Sequence, residues 1–301
     1  MKSTLKKLSS ILSLTLQTAA SFAAVILFSK KTNLATPART ANNAIVLGNG
    51  PSLKNGRETI KNARREGDFD IWSVNLFANS DFFESIKPTH YVLADSSHWK
   101  KDISQEVKSL LDGLQQSLNQ KTKWPLTLIV PYEARNSEFI EKISNKNISI
   151  KYYNRVPATG FPSLIRILYD KNLALPPAYN VLIATTFLAI SAKYKNIYIF
   201  GADHSWHEEI KITEKNILEA NQTHFYDNEA PPRPIYKDAH AQFNIGEIFI
   251  RWGQVFNQYY TLNEYAKTHN IKIKNASSKT YIDAFERIPA DSIVTDAHLN
   301  I

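Results

Sequence analysis

Cysteine is absent from this chain of 301 residues. Its absence excludes a disulfide-stabilised scaffold, a thiol nucleophile, and any zinc or iron–sulfur site with cysteine ligands. It also fits a reducing cytoplasm. Hydrophobic residues account for 43% of the sequence, which is enough apolar material for a buried core and excludes a largely disordered chain.

Acidic residues are absent from residues 1–40, which hold six of the 36 basic residues. Most of the net charge of +8 therefore lies in this segment, because the other 30 basic residues face 28 acidic ones. The rest of the sequence has no stripe of lysine and arginine interleaved with aromatic residues. We therefore expect no nucleic-acid partner.

An apolar run of 18 residues, 11–28, lies between lysine pairs at 6–7 and 30–31. It is just long enough to span a bilayer, but polar residues recur every three or four positions and form a narrow stripe on a helix. This stripe comprises Lys6, Ser10, Ser13, Gln17 and Ser21. We predict that residues 1–32 bind the inner face of the cell membrane, with lysines at the lipid headgroups. A spanning helix, a cleaved signal peptide and an ordinary packed helix are the alternatives.

From residue 43 onward, β-branched or aromatic runs alternate with helical stretches. This alternation predicts an α/β fold with a Rossmann-like, mostly parallel sheet flanked by helices. The predicted strands are 44–47, 70–74, 90–94, 126–130, 148–152, 196–200 and 271–274. The predicted helices are 102–120, 136–144, 180–194 and 246–269. No repeat or Gly/Ser linker divides this region, so we predict one domain, 41–301, behind the amphipathic helix of residues 1–40.

Residues 201–245 interrupt the alternation with three closely spaced prolines, several histidines and little periodicity. This pattern predicts a long loop after a late strand. Loops of this length in compact domains are usually lids or binding loops.

A Gly48-Asn49-Gly50-Pro51-Ser52 turn follows the first predicted strand. In a parallel sheet such a turn lies at the carboxyl end of a strand, where ligands bind. The two glycines allow a ligand to approach the backbone, and Pro51 suits a first helical turn because it has no N–H. Ser52 could cap a helix whose free N–H groups favour a phosphate. The motif predicts a nucleotide site, and the alternative is an ordinary strand-to-helix turn.

Asn75 and Asp95 follow two further predicted strands. In a parallel sheet both side chains would emerge at the same edge as Asn49, where they could hydrogen-bond a ribose and a base. The alternative is that each residue caps the helix that follows it.

The predicted strand 196–200 is followed by Gly201, Ala202, Asp203 and His204. The glycine allows close approach, and the adjacent acid and imidazole could transfer a proton or bind a metal. His207 lies three residues after His204, but no third fixed ligand accompanies the pair, so we predict no metal site.

A second imidazole, His224, lies within residues 201–245 beside Tyr226 and Asp227. A lone histidine in a loop is usually only solvated. It is also the residue type that most often acts as a general base near neutral pH.

These motifs resemble the CMP-sialic-acid-dependent sialyltransferases of glycosyltransferase family 42. They also resemble the related 6-hydroxymethylpterin pyrophosphokinase-like (MptE-like) domain of bacterial surface-polysaccharide clusters. The resemblance covers roughly residues 43–285 and rests on Ile-Val-Leu-Gly-Asn-Gly-Pro-Ser-Leu, on Asn75 and Asp95 at strand ends, and on Tyr-Lys-Asn-Ile-Tyr-Ile-Phe-Gly-Ala-Asp. It implies that Asn49 and Gly50 contact the nucleotide phosphate and ribose side. It also implies that Asn75 and Asp95 contact the nucleotide, and that Gly201 and Ala202 line the base pocket.

Several positions depart from the sialyltransferase pattern. Asp95 stands where those enzymes have asparagine, and Ser205 stands where they have the tyrosine that steadies the leaving phosphate. Their general-base histidine follows a His-Tyr pair that matches His224-Phe225, so the base position itself falls near Asn228. The catalytic candidates of this chain are therefore His224, His204 and Asp203.

The resemblance implies an inverting, metal-independent glycosyltransferase without a cofactor. It would transfer a sialic acid or another nonulosonic acid from a CMP-type donor to a surface-glycan acceptor, with an imidazole as base. The alternative is an ATP-dependent pyrophosphokinase, in which Asp95 and Asp203 would hold magnesium. No Walker-type lysine loop is present to favour ATP. A third possibility is a nucleotide-binding protein without catalytic activity.

Overall fold

The computed structural model describes residues 2–34, 36–100, 102–221, 224–226, 232–237 and 241–299. The α-helices are α1 (Lys2–Phe28), α2 (Leu53–Glu66), α3 (Phe82–Ile86), α4 (Gln105–Lys121), α5 (Glu138–Glu141), α6 (Pro162–Asp170), α7 (Val181–Ser191), α8 (Ile245–Lys267) and α9 (Ile293–Leu299). The strands are β1 (Asn43–Leu47), β2 (Phe69–Val74), β3 (His90–Val92), β4 (Leu126–Pro131), β5 (Ile148–Tyr153), β6 (Asn196–Phe200), β7 (Ile210–Ile212), β8 (Leu218–Ala220), β9 (Arg233–Pro234), β10 (Lys272–Asn275) and β11 (Glu286–Arg287).

Eight strands form a parallel sheet in the order β11-β10-β6-β1-β2-β3-β4-β5, flanked by helices. Every predicted strand lies in this sheet, within one or two residues of its predicted bounds, so the Rossmann-like α/β fold is confirmed. The inner strands β1, β2 and β6 are buried along their whole length. Strands covered on both faces are rich in β-branched and aromatic residues, which is why these strands were recognisable in the sequence, although β2 also buries Asp70 and Ser73.

The predicted helices correspond to α4, α5, α7 and α8, and α5 is shorter than predicted. Helix α7 is buried around its whole circumference. Helix α2 is amphipathic, buries Leu53, Ile60 and Ala63 on one side, and ends at Gly67 in the left-handed conformation.

Residues 201–245, which we predicted to be a long loop, contain short strands in their described part. Within their described part, strands β7, β8 and β9 form a small antiparallel sheet. Leu218 of β8 packs with Ile248 and Trp252 of α8 in a small hydrophobic cluster. Two- and three-residue strands are too short to show a period-two pattern, so the sequence did not reveal them.

The chain divides into two compact units, each made of two stretches. One consists of Met1–Thr40 and Trp72–Tyr194, and the other consists of Ala41–Ile71 and Lys195–Ile301. In the first unit, the Trp72 and His90 rings stack at 4.0 Å, and Trp72 Nε1 donates to the hydroxyl of Tyr194 at 3.2 Å. The prediction of a single domain from 41 to 301 stays a prediction.

The chain after α1 runs along β5, the strand at one edge of the sheet. The side-chain amide of Asn33 donates to the carbonyl oxygen of Ile150 at 3.2 Å and accepts from the N–H of Tyr152 at 2.8 Å. Asn154 exchanges two further hydrogen bonds with the backbone of Lys30, at 2.8 and 2.9 Å. The two Asn33 contacts occupy backbone groups of an edge strand that would otherwise face solvent.

Helix α1 is long and apolar enough between Thr4 and Phe28 to cross a membrane, by length and composition alone. Only a small part of it is covered by the protein. Thr18, Ser21 and Val25 are its buried residues among those whose side chains are described.

Candidate functional site

The predicted turn 48–52 and the segment after β6 lie side by side in the second unit. Strands β1 and β6 pair in parallel from Asn43 opposite Asn196 to Leu47 opposite Phe200, so they end at the same edge. The pairing continues into the turns, because the N–H of Gly50 donates to the carbonyl oxygen of Gly201 at 2.8 Å. The structure thus brings the two strongest sequence motifs together.

The glycines of these motifs allow the two turns to touch. A Cβ on Gly48 would lie 2.4 Å from the carbonyl oxygen of Gly201, and a Cβ on Gly50 would lie 2.2 Å from Oδ1 of Asp203. Gly201 has a φ of +64°, which side-chain-bearing residues rarely adopt. The sequence suggested that the glycines make room for a ligand. In the structure, the space beside them is filled by the neighbouring turn.

Ser52 and Asp203 join the two turns through buried hydrogen bonds. The N–H of Ser52 donates to Oδ2 of Asp203 at 2.9 Å, and its hydroxyl donates to Oδ1 at 2.5 Å. Ser52 makes no side-chain cap for α2, contrary to our expectation. The carboxylate of Asp203 instead lies at the amino end of α2, where the helix dipole favours negative charge.

Burial raises the pKa of Asp203 above its ordinary value, although its hydrogen bonds from Ser52 oppose the rise. Both carboxylate oxygens already accept hydrogen bonds. This geometry suits Asp203 to holding the turn in place, and its catalytic role stays a prediction.

His204 packs in an aromatic cluster. Its Nε2 forms a hydrogen bond of 2.7 Å with the hydroxyl of Tyr259, and its ring lies 4.3 Å from Trp206 and 5.9 Å from Phe256. Burial lowers the pKa of His204 to about 3, so the imidazole is neutral at physiological pH. A buried imidazole already bonded to tyrosine suits a structural role, and its catalytic role stays a prediction.

His224 lies next to the turn 48–52. The N–H of its neighbour Phe225 donates to the carbonyl oxygen of Asn49 at 2.9 Å, and Phe225 is almost fully buried. The His224 ring stacks in parallel on Tyr226 with a centroid separation of 5.1 Å. Asp227 and Asn228, the other residues considered near the base position, lie outside the described residues.

The segment after β10 also belongs to this cluster, and sequence reasoning missed it. The Oγ of Ser277 accepts from the N–H of Ala202 at 3.0 Å, and the hydroxyl of Thr280 donates to the carbonyl oxygen of Ala202 at 2.7 Å. The N–H of Tyr281 donates to the carbonyl oxygen of Asp203 at 3.0 Å. A signal for this segment was present in the sequence, because Ser277 and Thr280 follow the predicted strand 271–274 just as Asn75 follows 70–74.

Lys279 adds a positive charge to the same segment. Its ammonium pairs with Glu208, which also accepts from the hydroxyl of Tyr281. His207 packs edge-on against Tyr281 at 4.3 Å. Among the described residues, no group of three or more histidine, aspartate or glutamate side chains is arranged to hold a metal ion.

Asn75 and Asp95 belong to the first unit. Strands β2 and β3 pair in parallel, so both residues follow strands at one end of that pair. Asn75 has a φ of +50°, its carbonyl oxygen accepts from Tyr91, and its buried Oδ1 has no hydrogen-bond partner among the described residues. Oδ1 of Asp95 accepts from the N–H of Ser97 at 2.9 Å, which is the capping alternative. A shared role with Asn49 in nucleotide binding stays a prediction.

No family model matches the sequence, and no curated protein matches it.

Proposed function

We propose that the protein is a glycosyltransferase that uses a CMP-type sugar donor and transfers a sialic acid or another nonulosonic acid to a glycan acceptor. The observation that carries the proposal is the hydrogen bond between Phe225 and Asn49, which seats His224 beside the Gly-Asn-Gly-Pro-Ser turn. The resemblance of the motifs suggests the donor class. This backbone contact supports the proposal, because it brings the segment that carries His224 against the predicted donor turn.

In this proposal, Asn49 and Gly50 lie on the nucleotide side of the turn, as the resemblance implies, and Asp203 holds that turn in place. The acceptor hydroxyl attacks the anomeric carbon of the sugar, and the bond from that carbon to the phosphate oxygen breaks. CMP leaves with the electron pair, and the imidazole of His224 takes the hydroxyl proton. Attack opposite the leaving group inverts the anomeric configuration.

The bonding of Asp203 speaks against the alternative of a magnesium-dependent pyrophosphokinase. That enzyme would need Asp203 and Asp95 as metal ligands. Both oxygens of Asp203 accept hydrogen bonds from Ser52, and Oδ1 of Asp95 accepts from Ser97. Both carboxylates therefore already serve their own turns, and a metal ion would have to share these oxygens with the bonds that stabilise the turns.

The test combines binding with turnover. Thermal shifts are measured with CMP, CDP, UDP and ATP, each with and without magnesium, and release of CMP from CMP-sialic acid is followed. We expect CMP to stabilise the protein without magnesium. Stabilisation by ATP only in the presence of magnesium would favour the pyrophosphokinase. Binding of CMP without turnover under any acceptor tested would indicate a protein that only binds nucleotide.

The His224→Ala variant tests the base. We expect turnover to fall by about 100-fold with donor affinity unchanged, as for the loss of a general base. His298→Ala, which removes an exposed histidine on α9, is the matched control and should keep full turnover. Normal turnover of His224→Ala would remove this residue from the chemistry.

A further inference from the structure

Helix α1 exposes its most apolar face. Leu12, Leu16 and Ile26 are 61%, 63% and 79% exposed. Further large apolar side chains on the helix are also exposed, namely Leu5, Leu8, Ile11, Leu27 and Phe28. Contiguous apolar surface of this kind marks a site that contacts another molecule or a membrane.

The opposite side of α1 binds the protein through polar contacts at mid-helix. The hydroxyl of Ser21 donates to the carbonyl oxygen of Thr159 at 2.8 Å and accepts from its N–H at 2.9 Å. The N–H of Phe161 donates to the hydroxyl of Thr18 at 2.9 Å. Gly160 lies so close that a Cβ there would approach the same hydroxyl to 2.2 Å. Ser21 is a member of the predicted polar stripe, so part of this stripe faces the protein.

These contacts determine how α1 can meet a membrane. In a spanning helix, Thr18 and Ser21 would lie within the hydrocarbon core, where residues 159–161 could not follow without exposing irregular backbone to lipid. A helix lying in the plane of the membrane keeps these contacts and directs its apolar face into the bilayer. Its carboxyl end is also tied down, because Lys30 is hydrogen-bonded to Asn154.

We propose that α1 lies flat on an anionic lipid bilayer, inserts its exposed leucine and isoleucine side chains between the acyl chains, and stays docked on residues 159–161. The charge of the segment selects the lipid, because residues 1–40 contain lysines and an arginine and no acidic residue. A second copy of the chain is a poor occupant, because pairing two such faces would bring two basic segments together. This inference does not depend on the proposed chemistry.

The absence of cysteine allows a direct test with single spin-labelled cysteines. Adjacent positions 16 and 17 are both exposed, but Leu16 lies on the apolar face and Gln17 belongs to the polar stripe. On vesicles of mixed phosphatidylcholine and phosphatidylglycerol, we expect the label of Leu16→Cys to collide with oxygen and to be shielded from a water-soluble nickel chelate. The label of Gln17→Cys should stay accessible to the chelate.

Two other outcomes would overturn the proposal. Neighbouring residues of a spanning helix share nearly the same depth, so equal shielding at positions 16 and 17 would indicate a spanning helix. Immobilised labels in concentrated protein without lipid would indicate self-association. Ile250→Cys on α8 is the control, because Ile250 is apolar and, at 66%, about as exposed as Leu16. The accessibility of its label should not change when vesicles are added.

A second measurement tests the energetics. We expect the Leu12→Gln and Leu16→Gln double variant to lower the vesicle partition coefficient at least about tenfold, because two large apolar side chains no longer enter the lipid. Ile250→Gln should leave the coefficient unchanged, and pure phosphatidylcholine vesicles should bind the unaltered protein more weakly. Unchanged partitioning of the double variant would show that this face does not contact lipid.

Discussion

Replacing Gly50 by alanine tests the contact between the two turns. The added Cβ would lie 2.2 Å from Oδ1 of Asp203 and 2.7 Å from the carbonyl oxygen of Gly201. To restore an ordinary contact, the carboxylate would have to retreat by about 1 Å. It cannot do so and keep its hydrogen bonds of 2.9 and 2.5 Å from Ser52.

Two costs follow from this collision. Overpacking a close-packed site costs about 1–3 kcal/mol, and losing a hydrogen bond to a charged group costs about 1.5–3 kcal/mol. We therefore expect Gly50→Ala to lower the free energy of unfolding by about 3–5 kcal/mol. Combining it with Asp203→Ala removes the colliding carboxylate, so the losses of the two variants should not add.

Urea denaturation measures the effect, with Gly253→Ala as the matched control. A Cβ at Gly253 would meet no atom within 4 Å, and the residue lies inside α8. Alanine there should raise the free energy of unfolding by about 0.5–1 kcal/mol. If Gly50→Ala lost less than about 1 kcal/mol at an unchanged denaturant slope, the turns would not be packed as described.

Two further predictions concern buried titratable side chains. The pKa of His204 is about 3 in the folded protein, against 6.5 for an ordinary histidine, so in acid the folded state binds fewer protons than the unfolded state. The free energy of unfolding should therefore fall as the pH is lowered from about 6.5 to 3, by at most about 1.4 kcal/mol per pH unit for this group. Urea midpoints that stay constant across this range would contradict the lowered pKa of His204. Asp296 accepts from the buried ammonium of Lys274 at 2.5 Å and from the hydroxyl of Tyr198 at 2.7 Å. Asp296→Ala should cost about 3 kcal/mol in thermal unfolding, because among the described residues the buried ammonium keeps only Glu286, at 4.0 Å, as its charge partner. Asp291→Ala near the same helix should be nearly neutral.

The sheet could be predicted because its strands carry the signal locally. Residues such as Ile45, Val46 and Ile199 lie in short buried β-branched runs, and each run is bounded by turn residues. The same logic located Asn75, Asp95 and the turn 48–52 at strand ends.

The contacts inside the site could not be predicted in this way. Ser52 and Asp203 are 151 positions apart, and nothing in either local sequence specifies that the carboxylate takes the place beside α2. The helical period also located a polar stripe on α1 without saying what it faces. Ser21 binds the backbone of Thr159, a partner 138 positions away.

The amide of Asn33 has a consequence for any shortened form of the protein. Strand β5 is protected by Asn33 and by the chain that leads out of α1. A variant that lacks residues 1–34, made to improve solubility, would leave Ile150 and Tyr152 with unpaired backbone groups at an open sheet edge. Open edges pair with strands of other molecules, so such a variant would lose its affinity for lipid but would aggregate. Replacing exposed leucines of α1 by polar residues is therefore the safer route to a soluble form.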